Sequence, residues 1–429
     1  MTPTLDMEKV HIAVIGLGYV GLPLAAALSA HFPVLGYDID AGRIDALKRG
    51  YDVTGELNES ELPALRKLQL SSDSADLARC NVYIVAVPTP VDANKLPDLS
   101  PLRAASQSVG RVLKRGDVVI YESTVFPGAT EEICVPELER ASGLAFNTDF
   151  YCGYSPERIN PGDRQRRISD IVKVTSGSTP AVAEFVDQIY RRIIKAGTHL
   201  APSIKVAEAA KAVENTQRDI NIAFANELAM MFHRMGIDTE AVLKAAETKW
   251  NFMPIRPGLV GGHCIGVDPY YLIHKAEEVG AAPTLIRSAR EINEQMSVHV
   301  FSRLLEAMAA KQIPMTGAHV LILGLSFKEN CPDLRNTRVI ELIEQARSHG
   351  ATVDVHDPWA DALEARREHA VDLLETLPER GHYDLVVVAV AHRQFVQLGV
   401  EGLRRLARSP AVIFDVKGMF PRGQLDGRL

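Results

Sequence analysis

The run HIAVIGLGYVGLPLAAALSAHF, residues 11–32, leaves few folds open. A short β-branched segment ends at Gly16, and helical apolar spacing begins a few residues later. Between them stand Gly16, Gly18 and Gly21, in the order G-x-G-x-x-G. A strand that enters a helix through such a turn opens a βαβ unit. The glycines permit the tight turn, the close approach of backbone to a pyrophosphate and the packing of helix on strand. The next segment, VLGYD, ends at Asp38, about twenty residues on, where a carboxylate reaches a ribose 2′-hydroxyl. Its charge repels a 2′-phosphate, so the pattern asks for NAD rather than NADP. Gly16, Gly18, Tyr19, Val20, Gly21 and Asp38 are the expected cofactor contacts. The competing reading is a Rossmann fold that uses its glycines for packing alone.

Further strands are expected in NVYIVAVPTP and GDVVIYESTV, and strands alternating with helices imply a parallel sheet. Pro88 and Thr89 end the first of these at the crevice where cofactor belongs. From Ser203 to Arg234 there is neither glycine nor proline, and the spacing predicts one helix of about 30 residues. A second helical block is expected over 282–311. The α/β pattern then resumes in GAHVLILGLSFK, VIELIEQARSHG, ATVDVHDP, HYDLVVVAVAH and PAVIFDVKG. Gly324 stands where Gly16 or Gly18 stands in the first unit, without the full glycine pattern. The expectation is an α/β chain of two Rossmann-like domains with parallel sheets, joined by a long central helix and a helical dimerisation segment. Its parts are an NAD-binding domain over 1–202, a helical domain over 203–311 and a second Rossmann-like domain over 312–429, whose ligand need not be a dinucleotide.

Composition narrows the function. The formal net charge is −7, which gives nucleic acid or an anionic membrane no broad basic surface. The longest apolar runs, such as YDLVVVAVA, are too short to span a bilayer, and MTPTLDMEKV does not read as a signal peptide. The five cysteines are scattered and contain no CxxC pair, which argues against a disulfide framework or a structural zinc and for a reducing cytoplasm. No metal is expected.

One cysteine sits in GGHCIGVDP, residues 261–269, between the pair Gly261 and Gly262 and the single Gly266, four residues before Asp268. By itself Cys264 can be a packing residue, a ligand or a nucleophile. Beside a dinucleotide site, a thiolate suits oxidation past the aldehyde to the acid, through a thiohemiacetal and a thioester.

The segment GGHCIGVDPYYL resembles the active-site motif of the nucleotide-sugar 6-dehydrogenases, the UDP-glucose, UDP-N-acetylhexosamine and GDP-mannose enzymes. GLGYVGLPLA, VAVPTP, ESTVFPG, YSPERINPGD, AEAAKAVENTQRDINIAFANE and LGLSFKENCPDLRNT are similar to family segments in the same order, from about Val10 to about Lys417. The wording is most similar to the UDP-N-acetylglucosamine and UDP-N-acetylgalactosamine 6-dehydrogenases of capsule and O-antigen synthesis, including the Vi-antigen type.

The resemblance implies roles by position. Cys264 is the nucleophile, and Asp268 orients water or relays protons. Lys211 and Asn215, four apart on the long helix, stabilise an oxyanion. Glu157 positions the hydrolytic water, and Thr124 stands near that water and the nicotinamide. Arg158, Arg256, Gly261 and Lys328 join Glu157, Lys211 and Asn215 at the substrate, Arg256 in one version from a neighbouring subunit. Arg335 reaches the cofactor. Tyr270 and Tyr271 suit either the sugar pocket or the core, and His263 receives no catalytic role.

The implied reaction is oxidation of a UDP-N-acetylhexosamine at C6 by two successive NAD, in a homodimer or larger homo-oligomer. The same chemistry on UDP-glucose or GDP-mannose is the nearest alternative. A two-electron β-hydroxyacid-type dehydrogenase has no need of Cys264. A non-catalytic nucleotide-sugar-binding protein has no need of the Cys264, Lys211, Asn215 and Asp268 set.

Overall fold

The computed structural model describes residues 6–58, 61–159, 167–379 and 381–429. The first five residues of MTPTLDMEKV and residues 160–163 of YSPERINPGD therefore lie outside the described residues. The chain divides into two compact units, Met1–Glu214 with Tyr270–Ala281, and Asn215–Pro269 with Ala282–Leu429.

The first unit is built on eight strands: β1 (Ile12–Ile15), β2 (Val34–Tyr37), β3 (Gln69–Ser71), β4 (Val82–Val85), β5 (Val118–Tyr121), β6 (Tyr151–Tyr154), β7 (Lys173–Gly177) and β8 (Thr198–Leu200). They are ordered β3-β2-β1-β4-β5-β6-β7-β8. Helices α1 (Gly21–Leu28), α2 (Ala41–Lys48), α3 (Ser100–Gly110), α4 (Val135–Ser142) and α5 (Pro180–Arg191) accompany them. β1, β2, β4, β5 and β6 are buried along their whole length, as continuous apolar runs in a sheet covered on both faces must be. The chain order reverses beside β1, where β1 pairs with both β2 and β4, and this is the switch point at which such sheets bind ligands.

The sequence had suggested a parallel sheet, and one strand departs from it. β7 runs antiparallel to β6, with Gly153 opposite Gly177. A parallel return needs a crossover, usually a helix, and between β6 and β7 the described residues hold only a short 3-10 turn at Ile168–Asp170.

Helix α6 (Ile204–Met235) is the long helix expected from the glycine- and proline-free run, and the boundary between the units falls within it. α7 (Thr239–Glu247), α8 (Asp268–Glu278) and α9 (Thr284–Ala310) follow. The second unit then forms a parallel sheet from β9 (His319–Leu323), β10 (Thr352–His356), β11 (Tyr383–Val388), β12 (Ala407–Asp415) and β13 (Gly427–Arg428), ordered β10-β9-β11-β12-β13. α10 (Val339–Ser348), α11 (Ala362–His369) and α12 (Arg393–Leu406) accompany it. Val320, Ile322, Leu385, Val387, Val412 and Phe414 centre one face of its core, and Leu321, Leu323, Val386, Val388 and Ile413 the other.

The second unit repeats the opening connections of the first. Gly16 has φ +91° and its amide donates to the Tyr37 carbonyl at 2.8 Å; Gly324 has φ +95° and donates to the His356 carbonyl at 2.8 Å. The Leu17 amide donates to Asp38 at 2.8 Å, and the Leu325 amide to Asp357 at 2.7 Å. This is the degenerate Rossmann unit that Gly324 had suggested.

Candidate active site

In the first unit, β1 delivers the glycine turn directly into α1. A Cβ on Gly21 would lie 1.8 Å from the Gly16 carbonyl oxygen, so only glycine allows strand and helix to approach this closely. A Cβ on Gly18 would meet nothing within 4 Å, so its backbone faces open space. Tyr19 and Val20 complete the turn and are partly exposed. Asp38 is also partly exposed, and it accepts from the Leu17 amide through Oδ2 and from the Asp40 amide, 3.0 Å away, through Oδ1. A carboxylate so held, at the end of β2 and beside an open glycine turn, fits a dinucleotide with a free 2′-hydroxyl.

At the ends of β4 and β5, Thr89 donates its hydroxyl to the Thr124 carbonyl at 2.7 Å, tying the two loops together. Tyr271 is buried, and its hydroxyl donates to the Thr89 carbonyl, so it belongs to the core that supports these loops. Pro88 is exposed at the same edge.

Glu157 follows β6. Its Oε1 accepts the amides of Arg158 and Ile159, each at 2.6 Å. Its Oε2 lies 3.7 Å from the Lys173 ammonium. Arg158 turns away, with Nη2 2.7 Å from Glu214 and Nη1 donating to the Val172 carbonyl at 2.7 Å. An ion pair between Glu157 and Arg158, the ordinary alternative for such neighbours, is not what forms.

Helix α6 carries a polar stripe through an otherwise apolar buried face: Glu208, Lys211, Asn215, Asp219 and Asn226, all buried. Glu208 accepts the amides of Gly128 at 2.5 Å and Thr130 at 2.9 Å. Burial pushes its pKa up to about 7 against the pull of the Thr130 and Gly128 hydrogen bonds. In the second unit, Asp219 accepts from Arg290 at 2.6 Å and Asn293 at 2.8 Å, and Asn226 brackets Gly258. Asn215 donates to Asp268 at 2.5 Å. Two of the sequence-derived site residues are thus directly bonded.

Cys264 is the one cysteine of the five that is not buried. Its carbonyl accepts from the amides of Val267 at 3.1 Å and Asp268 at 2.8 Å, which winds the loop into α8. The glycines before it have a steric cause. A Cβ on Gly261 would lie 2.7 Å from the Asn336 carbonyl, and Gly262, at φ +81°, would press one 2.7 Å from the Phe327 ring. The segment 327–337 therefore backs the cysteine loop. His263 points into that backing, 3.5 Å from Asp333 and edge-on to Phe327.

Arg335 forks onto Asp333 with contacts of 2.9, 3.1 and 2.5 Å. Lys328 is partly exposed on the same segment. Arg256 is exposed and pairs with Glu240 at 2.9 Å and with Glu247, both on α7, so within its own unit it serves that helix. Glu122, Lys173 and Glu208 were missed by sequence reasoning. Glu208 was findable, because it opens a polar series at helical spacing with Lys211 and Asn215. Lys173 and Glu122 carry no such local signal. Among the described residues, no three His, Cys, Asp or Glu side chains are grouped to hold a metal ion, and no helix is long and apolar enough to cross a membrane.

Residues 10–194 match the NAD-binding domain of the UDP-glucose/GDP-mannose dehydrogenase family, residues 205–295 its central domain and residues 321–422 its UDP-binding domain. The chain is 56% identical to a UDP-N-acetyl-D-glucosamine 6-dehydrogenase of Pseudomonas aeruginosa, over 99% of this chain and 100% of that one. It is 53% identical to a protein of the same name from Salmonella typhi, over 99% of each. A solved UDP-D-ManNAc dehydrogenase of Pyrococcus horikoshii superposes with a TM-score of 0.87 at 33% identity, covering 98% of each chain. With a glycine turn built for a dinucleotide, an accessible cysteine on a glycine-packed loop and all three family domains in order, the chain belongs to the UDP-glucose/GDP-mannose dehydrogenase family and is an NAD-dependent nucleotide-sugar dehydrogenase.

Proposed function

We propose that this enzyme oxidises the C6 hydroxyl of a UDP-N-acetylhexosamine to the carboxylate, with UDP-N-acetyl-D-glucosamine as first candidate, to make a precursor of a surface polysaccharide. The names of its relatives at 56% and 53% identity support the substrate. The observation that carries the chemistry is the cluster of accessible Cys264, buried Asp268 and the Asn215–Asp268 bond of 2.5 Å.

The C6 alcohol is first oxidised to the aldehyde, and the Cys264 thiolate adds to it to give a thiohemiacetal. Loss of a second hydride leaves a thioester, and water cleaves it to the acid and the free thiol. Bound NAD supplies the hydride acceptor for each of the two oxidations. The Asn215 amide has two N–H donors, and Asp268 takes one, leaving the other to meet an oxygen that gains charge. The Lys211 ammonium, one turn earlier on α6, serves the same oxygen. Glu157, with Oε1 fixed by two amides, positions the hydrolytic water beside Thr124. Gly16, Gly18, Tyr19, Val20, Gly21, Asp38, Pro88, Thr89 and Arg335 serve the cofactor; Arg158, Arg256, Gly261 and Lys328 serve the substrate.

The enzyme works in the cytoplasm as a homodimer or larger assembly, organised as segments 1–202, 203–311 and 312–429. Val206, Val213, Phe224, Met231 and Met235 stay 45–60% exposed along α6, an apolar series that a second copy would cover.

The test is NADH formed per sugar consumed, on UDP-N-acetyl-D-glucosamine, UDP-N-acetyl-D-galactosamine, UDP-glucose and GDP-mannose. Two NADH, a carboxylate product and an inactive Cys264→Ala variant are expected. One NADH per sugar with an active alanine variant would overturn the thioester route.

A further inference from the structure

Beneath Glu157 the first unit buries a lysine between two glutamates. Lys173, 3% exposed at the start of β7, donates to Glu122 Oε2 at 2.6 Å and to the Pro156 carbonyl at 3.0 Å. Glu122, 1% exposed just past β5, is held from its other oxygen by the Tyr190 hydroxyl of α5 at 2.5 Å. An ammonium has three donors, and these two bonds leave one. Glu157 Oε2 lies 3.7 Å from the same nitrogen and, among the described residues, is buried without a hydrogen-bond donor. Lys173 therefore grips Glu157 twice, through the carbonyl of the preceding residue and through charge at the carboxylate itself.

A buried ammonium is costly to hold unless it is paired, and Glu122, 2.6 Å away, is the partner. Burial raises the pKa of Glu122, and Lys173 draws it back down. The trio carries one negative charge in excess, so the two glutamates compete for one cation.

We propose that Lys173 is a positioning residue of the hydrolytic half-reaction: clamped by Glu122, it holds the Glu157 carboxylate aimed, and Glu122 competes with Glu157 for its charge. The inference rests on Glu157 being the carboxylate that serves the hydrolytic water. Its particular consequence is that the two buried partners act on Glu157 with opposite sign. Removing a cation within 4 Å favours the protonated carboxylate, and removing the competing anion favours the ionised one.

The experiment is kcat against pH, from 5 to 9, by NADH release with UDP-N-acetyl-D-glucosamine, in wild type, Lys173→Met, Lys173→Arg, Glu122→Gln and Glu157→Gln. Lys173→Met is expected to move the acidic limb up by about one pH unit. Lys173→Arg restores it, and Glu122→Gln moves it down. A purely structural role lowers kcat without shifting the limb in opposite directions. Limbs that stay put, or shift the same way in Lys173→Met and Glu122→Gln, overturn the proposal. If Lys173→Met fails to fold, the downward shift in Glu122→Gln and the unchanged limb in Lys173→Arg still decide it. Glu157→Gln separates the layers: loss of the acidic limb supports the underlying reading, whereas a wild-type limb removes that reading and the proposal with it.

Discussion

Replacing Glu208 by Gln should change how stability depends on pH more than it changes the fold. The Glu208 carboxyl is buried, and its pKa is raised from 4.5 to about 7. Between those values the folded chain keeps a proton that the unfolded chain has released. Stability therefore falls as pH rises through that window, by linkage. At 1.36 kcal/mol per pH unit, the loss above pH 7 is about 3 kcal/mol. Gln matches the protonated acid in shape and cannot ionise, so this slope vanishes in the variant. A constant penalty remains, because Glu208 accepts two amides, those of Gly128 and Thr130, and Gln turns an N–H toward one of them. That offset is about 1–3 kcal/mol at every pH. The assay is denaturant unfolding of both proteins at steps from pH 4.5 to 8.5, taking the difference between them. The difference should change by about 3 kcal/mol in favour of the variant as pH rises. Curves that stay parallel to within about 0.5 kcal/mol refute the reasoning and mean that the amide bonds offset the burial of the charge.

Gly21→Ala should lose NAD binding before anything else, since its methyl would stand 1.8 Å from the Gly16 carbonyl oxygen and push α1 off the turn. An overpacking cost of about 1–3 kcal/mol and at least a tenfold weaker affinity in a calorimetric NAD titration are expected; unchanged affinity would contradict the close approach. The double variant Phe224→Asp, Met231→Asp places two charges on the exposed series of α6 and should halve the mass seen by light scattering without altering far-ultraviolet circular dichroism.

The sequence made the fold legible wherever one residue type was forced. Gly16 and Gly21 announced the turn because its left-handed backbone and its close packing leave no room for another residue, and the bounds of α6 followed from thirty residues without a breaker. The antiparallel β7 was not legible, since the direction of a strand depends on the path of its connection and not on its own residues. The site was half legible. Lys211, Asn215, Cys264 and Asp268 stand in short motifs whose spacing survives folding. Lys173 and Glu122 lie 51 residues apart and meet only because β5 and β7 flank β6. Arg256 shows the opposite limit, because an arginine near a motif says nothing of the two α7 carboxylates that engage it.

Asp38 and Asp357 hold the same place in two renderings of one topology, yet they differ in spare capacity. Asp38 accepts two amides, from Leu17 and Asp40. Asp357 accepts four, from Leu325, Ser326, Trp359 and Ala360, and a fifth contact comes from the His392 Nε2 at 3.1 Å. The Asn330 amide donates to His392 Nδ1, which fixes Nε2 as the protonated nitrogen and makes it the donor to Asp357. Burial works to raise the pKa of Asp357, but the imidazole and amides outweigh it and hold the carboxyl well below the usual range. A carboxylate offers about four lone-pair directions, so Asp38 still has room for a sugar hydroxyl and Asp357 has none. A second nucleotide fold can thus keep the backbone of a dinucleotide site without a free acceptor for the ribose, because that carboxylate is already saturated. Adding glycines after Gly324 would not by itself make a dinucleotide site, because the Asp357 carboxylate is already filled by amides and an imidazole of its own unit.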